Sequence, residues 1–239
     1  MGLSSNVIWH QTRKEAFFEI LKSKRLCVSY SQEEVMPRLR VAFPMVCLCD
    51  LPLSEFASNN WTYGEYAIGF KRDWAIRNGF NPVCYYHHQS NLMQRMYTLV
   101  RDAISESLSG VMNMAIYFLS YYKPIEGQLI TSKREYKNYR FYDEREYRMV
   151  PYFTQLRGNH QMLSMEEYAS YKEAHNGKSL LDDVSIDCDS FLKTKDQLIE
   201  DVISNTLTCT NENYRNSMIP QLFRNFTKCK NMEKIIDTY

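Results

Sequence analysis

"FYDEREYRMVP" (residues 141–151) sets acids and bases side by side in a segment that closes on methionine, valine and proline. Its reading decides the fold. Extended, it is a strand entering the core, with Glu144, Glu146 and Arg148 on one face and Phe141, Asp143, Arg145, Tyr147 and Met149 on the other, because side chains alternate along a strand. Two carboxylates and a guanidinium then point the same way, as they would in a site. Helical, it places Glu144 four residues before Arg148, an ordinary surface pair worth about 0.3–0.5 kcal/mol.

Upstream, "SLSGVMNMAIYFLSYY" (107–122) is the most apolar stretch, yet Ser, Asn and Gly interrupt it and it falls short of the roughly 20 residues of a membrane span. Apolar residues from Leu92 through Met96, Leu99, Ala103, Leu108, Val111, Ala115, Phe118 and Leu119 recur mostly at steps of three or four. The spacing predicts one long buried helix over 91–122, ended by Pro124. "NVIWH" (6–10) reads as a strand and "TRKEAFFEILKSKRL" as a helix with Thr12 as N-cap. "PMVCLCDLPLSEF" (44–56), "YGEYAIGF" (63–70) and "NPVCYY" (81–86) read as further strands, with a short helix over 73–78. "SMEEYASYKEAHN" (164–176) carries a Ser164 cap with acids in the first turn. Segments 193–207 and 211–226 hold helix or strand material of undecided type. The layout is α+β, a single domain over 1–239 with a core over about 1–155 and a C-terminal elaboration over about 156–239.

The 239 residues are 44% hydrophobic and 24% charged, with a net charge of +1. That balance gives no basic field for nucleic acid. The local run "SKREYKNYR" (132–140) interleaves basic residues with tyrosines, as does many a solvated loop. Seven cysteines without paired zinc spacing, and no signal peptide, predict reduced thiols in a cytoplasmic protein with no structural metal and no membrane association. Phosphate-binding glycine loops and the Gly-x-Ser-x-Gly elbow are absent from the sequence.

Four stretches together resemble the AbiGi family of abortive-infection phage-resistance proteins: "WHQT" with the helix after it, "FPMVCLCDLPLSEF", "YGEYAIGFKRDWAIRNGFNPVCYY", and "YYKPIEGQ" leading to "FYDEREYRMVP". Order and spacing agree from about residue 7 to 153, with Tyr147 standing where the family pattern has Trp. The resemblance implies anti-phage defence with a protein partner from the same system. The same elements resemble, more distantly, the ADP-ribosyltransferase fold, which implies a split β-sheet core and NAD as substrate. On that resemblance His10 would hold the nicotinamide ribose, with Thr12 beside it, and Tyr63 or Tyr66 would stack on nicotinamide. Glu146 would face the positive charge developing as the glycosidic bond breaks, and Glu144 would handle the acceptor. Arg148 would contact a phosphate or keep Glu146 ionised. Asp50 and Ser54 are further candidates on the second strand and its turn. The competing implication is a catalytically inactive antitoxin that keeps the fold as a binding surface.

Overall fold

The computed structural model describes residues 6–36, 39–52, 63–64, 66–106, 109–130 and 135–188. In chain order the first four strands are β1 (Val7–Thr12), β2 (Arg25–Met36), β3 (Leu39–Cys49) and β4 (Tyr66–Lys71). β5 (Asn81–Pro82), β6 (Cys84–Tyr86), β7 (Tyr122–Pro124), β8 (Glu126–Ile130) and β9 (Glu135–Arg140) follow. β10 (Glu146–Met149), β11 (Leu163–Ser164) and β12 (Leu180–Asp187) complete the described strands. The helices are α1 (Lys14–Ser23), α2 (Arg72–Arg77), α3 (Asn91–Ser105), α4 (Ser109–Leu119) and α5 (Met165–Ala174).

The architecture is α+β around a curled antiparallel sheet of eight strands, ordered β12-β2-β3-β1-β4, with β10 and β11 also on β3 and β5 on β10. β3 changes partners along its length. Its first half lies between β2 and β11, which reaches Ala42. Its second half carries β10 from Val46 to Cys49, and β1 meets it at Cys49. Pro44 sits at the changeover. Tyr30, its partner in register, sends its N–H away to Ser179 O at 2.8 Å, so Tyr30 and Pro44 form a non-hydrogen-bonded pair. The N–H that proline lacks therefore falls in the gap between β11 and β10, where no ladder bond is lost.

One face of β2 and β3 is covered by α3 and α4, with Phe43, Met45, Met93, Ile116 and Leu119 in a shared core. Two helices thus stand where the periodicity predicts one, and neither is buried all round: Leu92, Leu99, Met114 and Phe118 are exposed. Elsewhere Phe70 stacks on Trp74 with ring centroids 4.5 Å apart, and Trp74 leans on Phe80 at 5.9 Å.

Other expectations divide similarly. Thr12 ends β1 rather than capping α1, whose N-cap position is taken by Arg13 without a side-chain capping hydrogen bond. Residues 81–86 split between two sheets as β5 and β6. Ser164 does cap α5, in a reciprocal box with Glu167. β2 and β12 were not foreseen, and residues 163–187 add strands to the same sheet. Segments 193–207 and 211–226 and Ser54 lie outside the described residues.

Candidate functional site

The opening segment is neither wholly strand nor helix. Phe141–Glu144 form a 3-10 turn, Arg145 takes a left-handed conformation with φ 45°, and only then does β10 begin. Glu146 and Arg148 share a strand face as alternation requires, while Glu144 arrives from the turn. Lys123 brings the acids together. Its Nζ donates to Glu144 Oε2 at 2.8 Å and to Glu146 Oε2 at 2.5 Å, and it stands 4.7 Å from the centroid of the Phe141 ring. β7 holds Lys123 in place by pairing parallel with β6, Tyr85 in register with Lys123.

Arg148 is fully buried and clamps Glu146 from the other side. Its Nε donates to Glu146 Oε1 at 2.7 Å and its Nη2 to Glu146 Oε2 at 3.1 Å. Nη2 also donates to Glu33 Oε1, and Nη1 to the Ser120 carbonyl, both at 2.6 Å. Tyr63 donates its hydroxyl to Glu144 Oε1 at 2.5 Å, and the Tyr85 hydroxyl accepts the Glu146 N–H at 2.9 Å. A guanidinium so engaged has a clamp's geometry, not that of a free phosphate contact.

Electrostatics follow from the census of charges. Burial works to raise the Glu146 carboxyl, but Arg148 and Lys123 outweigh it and hold the group well below its ordinary value. Burial also opposes charge on Lys123 and Arg148, yet the surrounding glutamates push both well up. Among the described residues two cations, Lys123 and Arg148, face three carboxyls, Glu33, Glu144 and Glu146, so one carboxyl is in excess there. It is Glu33 whose pKa is raised, by burial first and by Glu146 and Glu144 in addition, against Arg148 and Lys123. The Cys47 thiol, on the same face, is pushed well up by burial and Glu146. Each oxygen of Glu144 and Glu146 already accepts a bond from within the chain, and Glu146, with three, is held ionised by Arg148 and Lys123.

Of the other predicted residues the structure describes, Tyr63 bonds to this cluster, while His10, Thr12, Tyr66 and Asp50 have other partners. Trp9, not His10, is in register with Cys49, whose other neighbour is Glu146. His10 donates Nδ1 to the Cys47 carbonyl at 2.9 Å, and burial lowers its pKa against that bond. Thr12 is buried in register with Tyr66, whose ring packs 5.2 Å from Phe17 of α1. Asp50 accepts from Arg72 Nη2 at 2.7 Å, and Arg72 Nη1 reaches the Tyr147 hydroxyl at 2.9 Å. Sequence reasoning missed Lys123, Glu33 and Tyr85. For Lys123 there was a signal: it is the first charge after sixteen uncharged residues, 107–122, and it precedes a proline.

Among the described residues, no three His, Cys, Asp or Glu side chains are grouped to hold a metal ion, and no helix is long and apolar enough to cross a membrane. The family model described as "Putative abortive phage resistance protein AbiGi, antitoxin" matches residues 19–188. A curated relative, abortive phage resistance protein AbiGi of Lactococcus lactis subsp. cremoris, is 27% identical over 128 residues, covering 46% of this chain and 51% of the relative. The chain thus spans about half the length of the curated relative it matches. No solved structure matches.

Proposed function

Since the chain belongs to the AbiGi family, we propose that it serves bacterial anti-phage defence as an antitoxin that restrains a partner toxin by surface contact. The observation that carries this reading is the internally bonded cluster. Glu146, the residue a catalytic mechanism needs most, is buried, with both oxygens bound by Arg148 and Lys123. A carboxylate stabilises an oxocarbenium-like centre by lying open to it, and this one is committed to Lys123 of β7 and to Arg148, which itself ties β10 to Glu33 of β2.

One feature favours the second reading, NAD-dependent ADP-ribosyl transfer or NAD cleavage: Tyr63 is 42% exposed while its hydroxyl bonds to the buried Glu144, so an exposed aromatic face leads to an acid beneath it. The two readings separate in one paired measurement. The chain is co-expressed with the toxin of its own defence system while growth is followed, and NAD consumption is measured with purified protein, alone and with that toxin. Contact restraint predicts growth rescue that tracks the ratio of the two proteins, survives His10→Ala, and consumes no NAD. Turnover of NAD, with rescue lost in His10→Ala, would establish the catalytic reading instead.

A further inference from the structure

β12 (Leu180–Asp187) exposes Asp183, Ser185 and Asp187 at alternate positions, while Ile186 between them turns into the core. β2 lies beside it, with Asp187 in register with Arg25, and the Cys188 N–H donates to the Lys24 carbonyl at 2.8 Å, which fixes the end of the pair. The turn after Gln155 is anchored by Leu156, fully buried, and by the Tyr30 hydroxyl, which donates to the His160 carbonyl at 2.7 Å. Arg157 is thereby set facing the same place. A hollow of about 580 Å³ lies between, where Lys24, Arg25 and Arg157 meet the three residues of β12. Its volume is in the range of small-ligand sites.

Charge and backbone say what it takes. Lys24 and Asp187 have partners. Arg25, although in register with Asp187, has no side-chain hydrogen bond or ion pair among the described residues, and neither have Arg157 and Asp183. Two guanidiniums and one carboxylate are therefore left to the hollow. Lys24 and Arg157 both hold left-handed backbone, φ 56° and 49°, which is costly for a residue with a Cβ and free for glycine. At Lys24 the C-terminal dipole of α1 favours a cation. Arg157 follows a 3-10 turn of three residues, too short for such a dipole, so its guanidinium stands where the backbone alone favours glycine.

Two guanidiniums converging on open space suit a phosphate, whose oxygens take forked N–H donors, and a carboxylate beside them accepts from hydroxyl groups. No aromatic or aliphatic residue lines the hollow, so it offers nothing for a nucleobase or an acyl chain to pack on. We propose that this hollow binds a small phosphorylated sugar, its phosphate between Arg25 and Arg157 and its hydroxyls on Asp183 and Ser185. The site goes beyond the antitoxin reading and is independent of whether the chain restrains a toxin.

Isothermal titration calorimetry of the purified full chain with ribose 5-phosphate tests it, beside inorganic phosphate, unphosphorylated ribose and adenosine monophosphate. Ribose 5-phosphate is expected to bind saturably and more tightly than inorganic phosphate or ribose, and Arg25→Gln to weaken it by about tenfold or more. Asp183→Asn is expected to weaken the sugar phosphate and to leave inorganic phosphate no weaker. Arg157→Gly removes the guanidinium and relieves the left-handed backbone, so binding should be lost with a melting temperature no lower than wild type, and the loss cannot be ascribed to unfolding. Absence of saturation with ribose 5-phosphate, or equal affinity in wild type and Arg157→Gly, overturns the proposal. So does inorganic phosphate binding as tightly as the sugar phosphate, which would make this a site for an adventitious ion only. Adenosine monophosphate binding about tenfold tighter than ribose 5-phosphate overturns it too, by giving the hollow to a nucleotide.

Discussion

Lys123 joins a turn, Phe141–Glu144, to a strand, Glu146–Met149, that otherwise have only a left-handed arginine between them. Removing one partner of a buried ion pair leaves the other charge uncompensated, so Lys123→Met is expected to cost roughly 3–5 kcal/mol in urea denaturation. A loss below about 1 kcal/mol would mean that water already reaches the cluster. The pH dependence has two signs. Glu146 titrates below its ordinary 4.5 when folded, so its contribution is present above that pH and is lost as pH falls through the folded value. Glu33 titrates above its ordinary 4.5, so its contribution is present below that pH and is lost as pH rises through the folded value. Glu33→Gln, which keeps an acceptor for Arg148 without the charge, is expected to remove the loss on the rising side and leave the acid side unchanged. Melting temperatures across pH check this, and an unaltered rising side would place the excess proton elsewhere. In the sequence, alternation was enough to put Glu146 and Arg148 on one face. The cation that ties Glu146 to Glu144 lies 23 residues from Glu146, beyond any local pattern.

Among the elements, those whose residues obey one period were legible. β1, β4, α2 and the capped start of α5 stand within a few residues of where pattern and turn chemistry place them. β2 was not legible because it breaks its own alternation: Leu26, Val28 and Tyr30 are buried in turn, and then Glu33 takes an inward place in the charge cluster. The division between α3 and α4 was hidden because three-and-four spacing runs through both helices. Gly64, just before β4, is explained by approach rather than by period. Its φ is +152°, and a Cβ there would stand 2.0 Å from the Thr12 carbonyl oxygen, which belongs to β1 and cannot swing aside. Gly64→Ala is therefore expected to destabilise by about 1–3 kcal/mol and to draw the adjacent Tyr63 hydroxyl off Glu144. Thermal melts and the Tyr63 phenol titration check both effects. A variant as stable as wild type would show that the turn relaxes freely.

At the scale of the whole molecule, the α+β class followed from the mixture of periods, whereas the convergence of partners on Leu39–Cys49 did not. Composition does not encode which strands meet, and β3 takes neighbours from both ends of the described chain, Trp9 on one side of Cys49 and Glu146 on the other. That convergence has a consequence in time. The stretch Val46–Cys49 leaves the ribosome roughly a hundred residues before Glu146–Met149, and synthesis at about 5–20 residues per second opens an interval of roughly 5–20 s. Throughout it, one edge of β3 is an unpaired template, and Lys123 itself emerges only near its end, 23 residues before Glu146. A nascent chain halted in that interval has the apolar strands of the sheet without the charges that lock them. Should a phage disturb elongation on infection, the protein a cell can field is what it had finished beforehand, so its supply is set by the state of the uninfected cell.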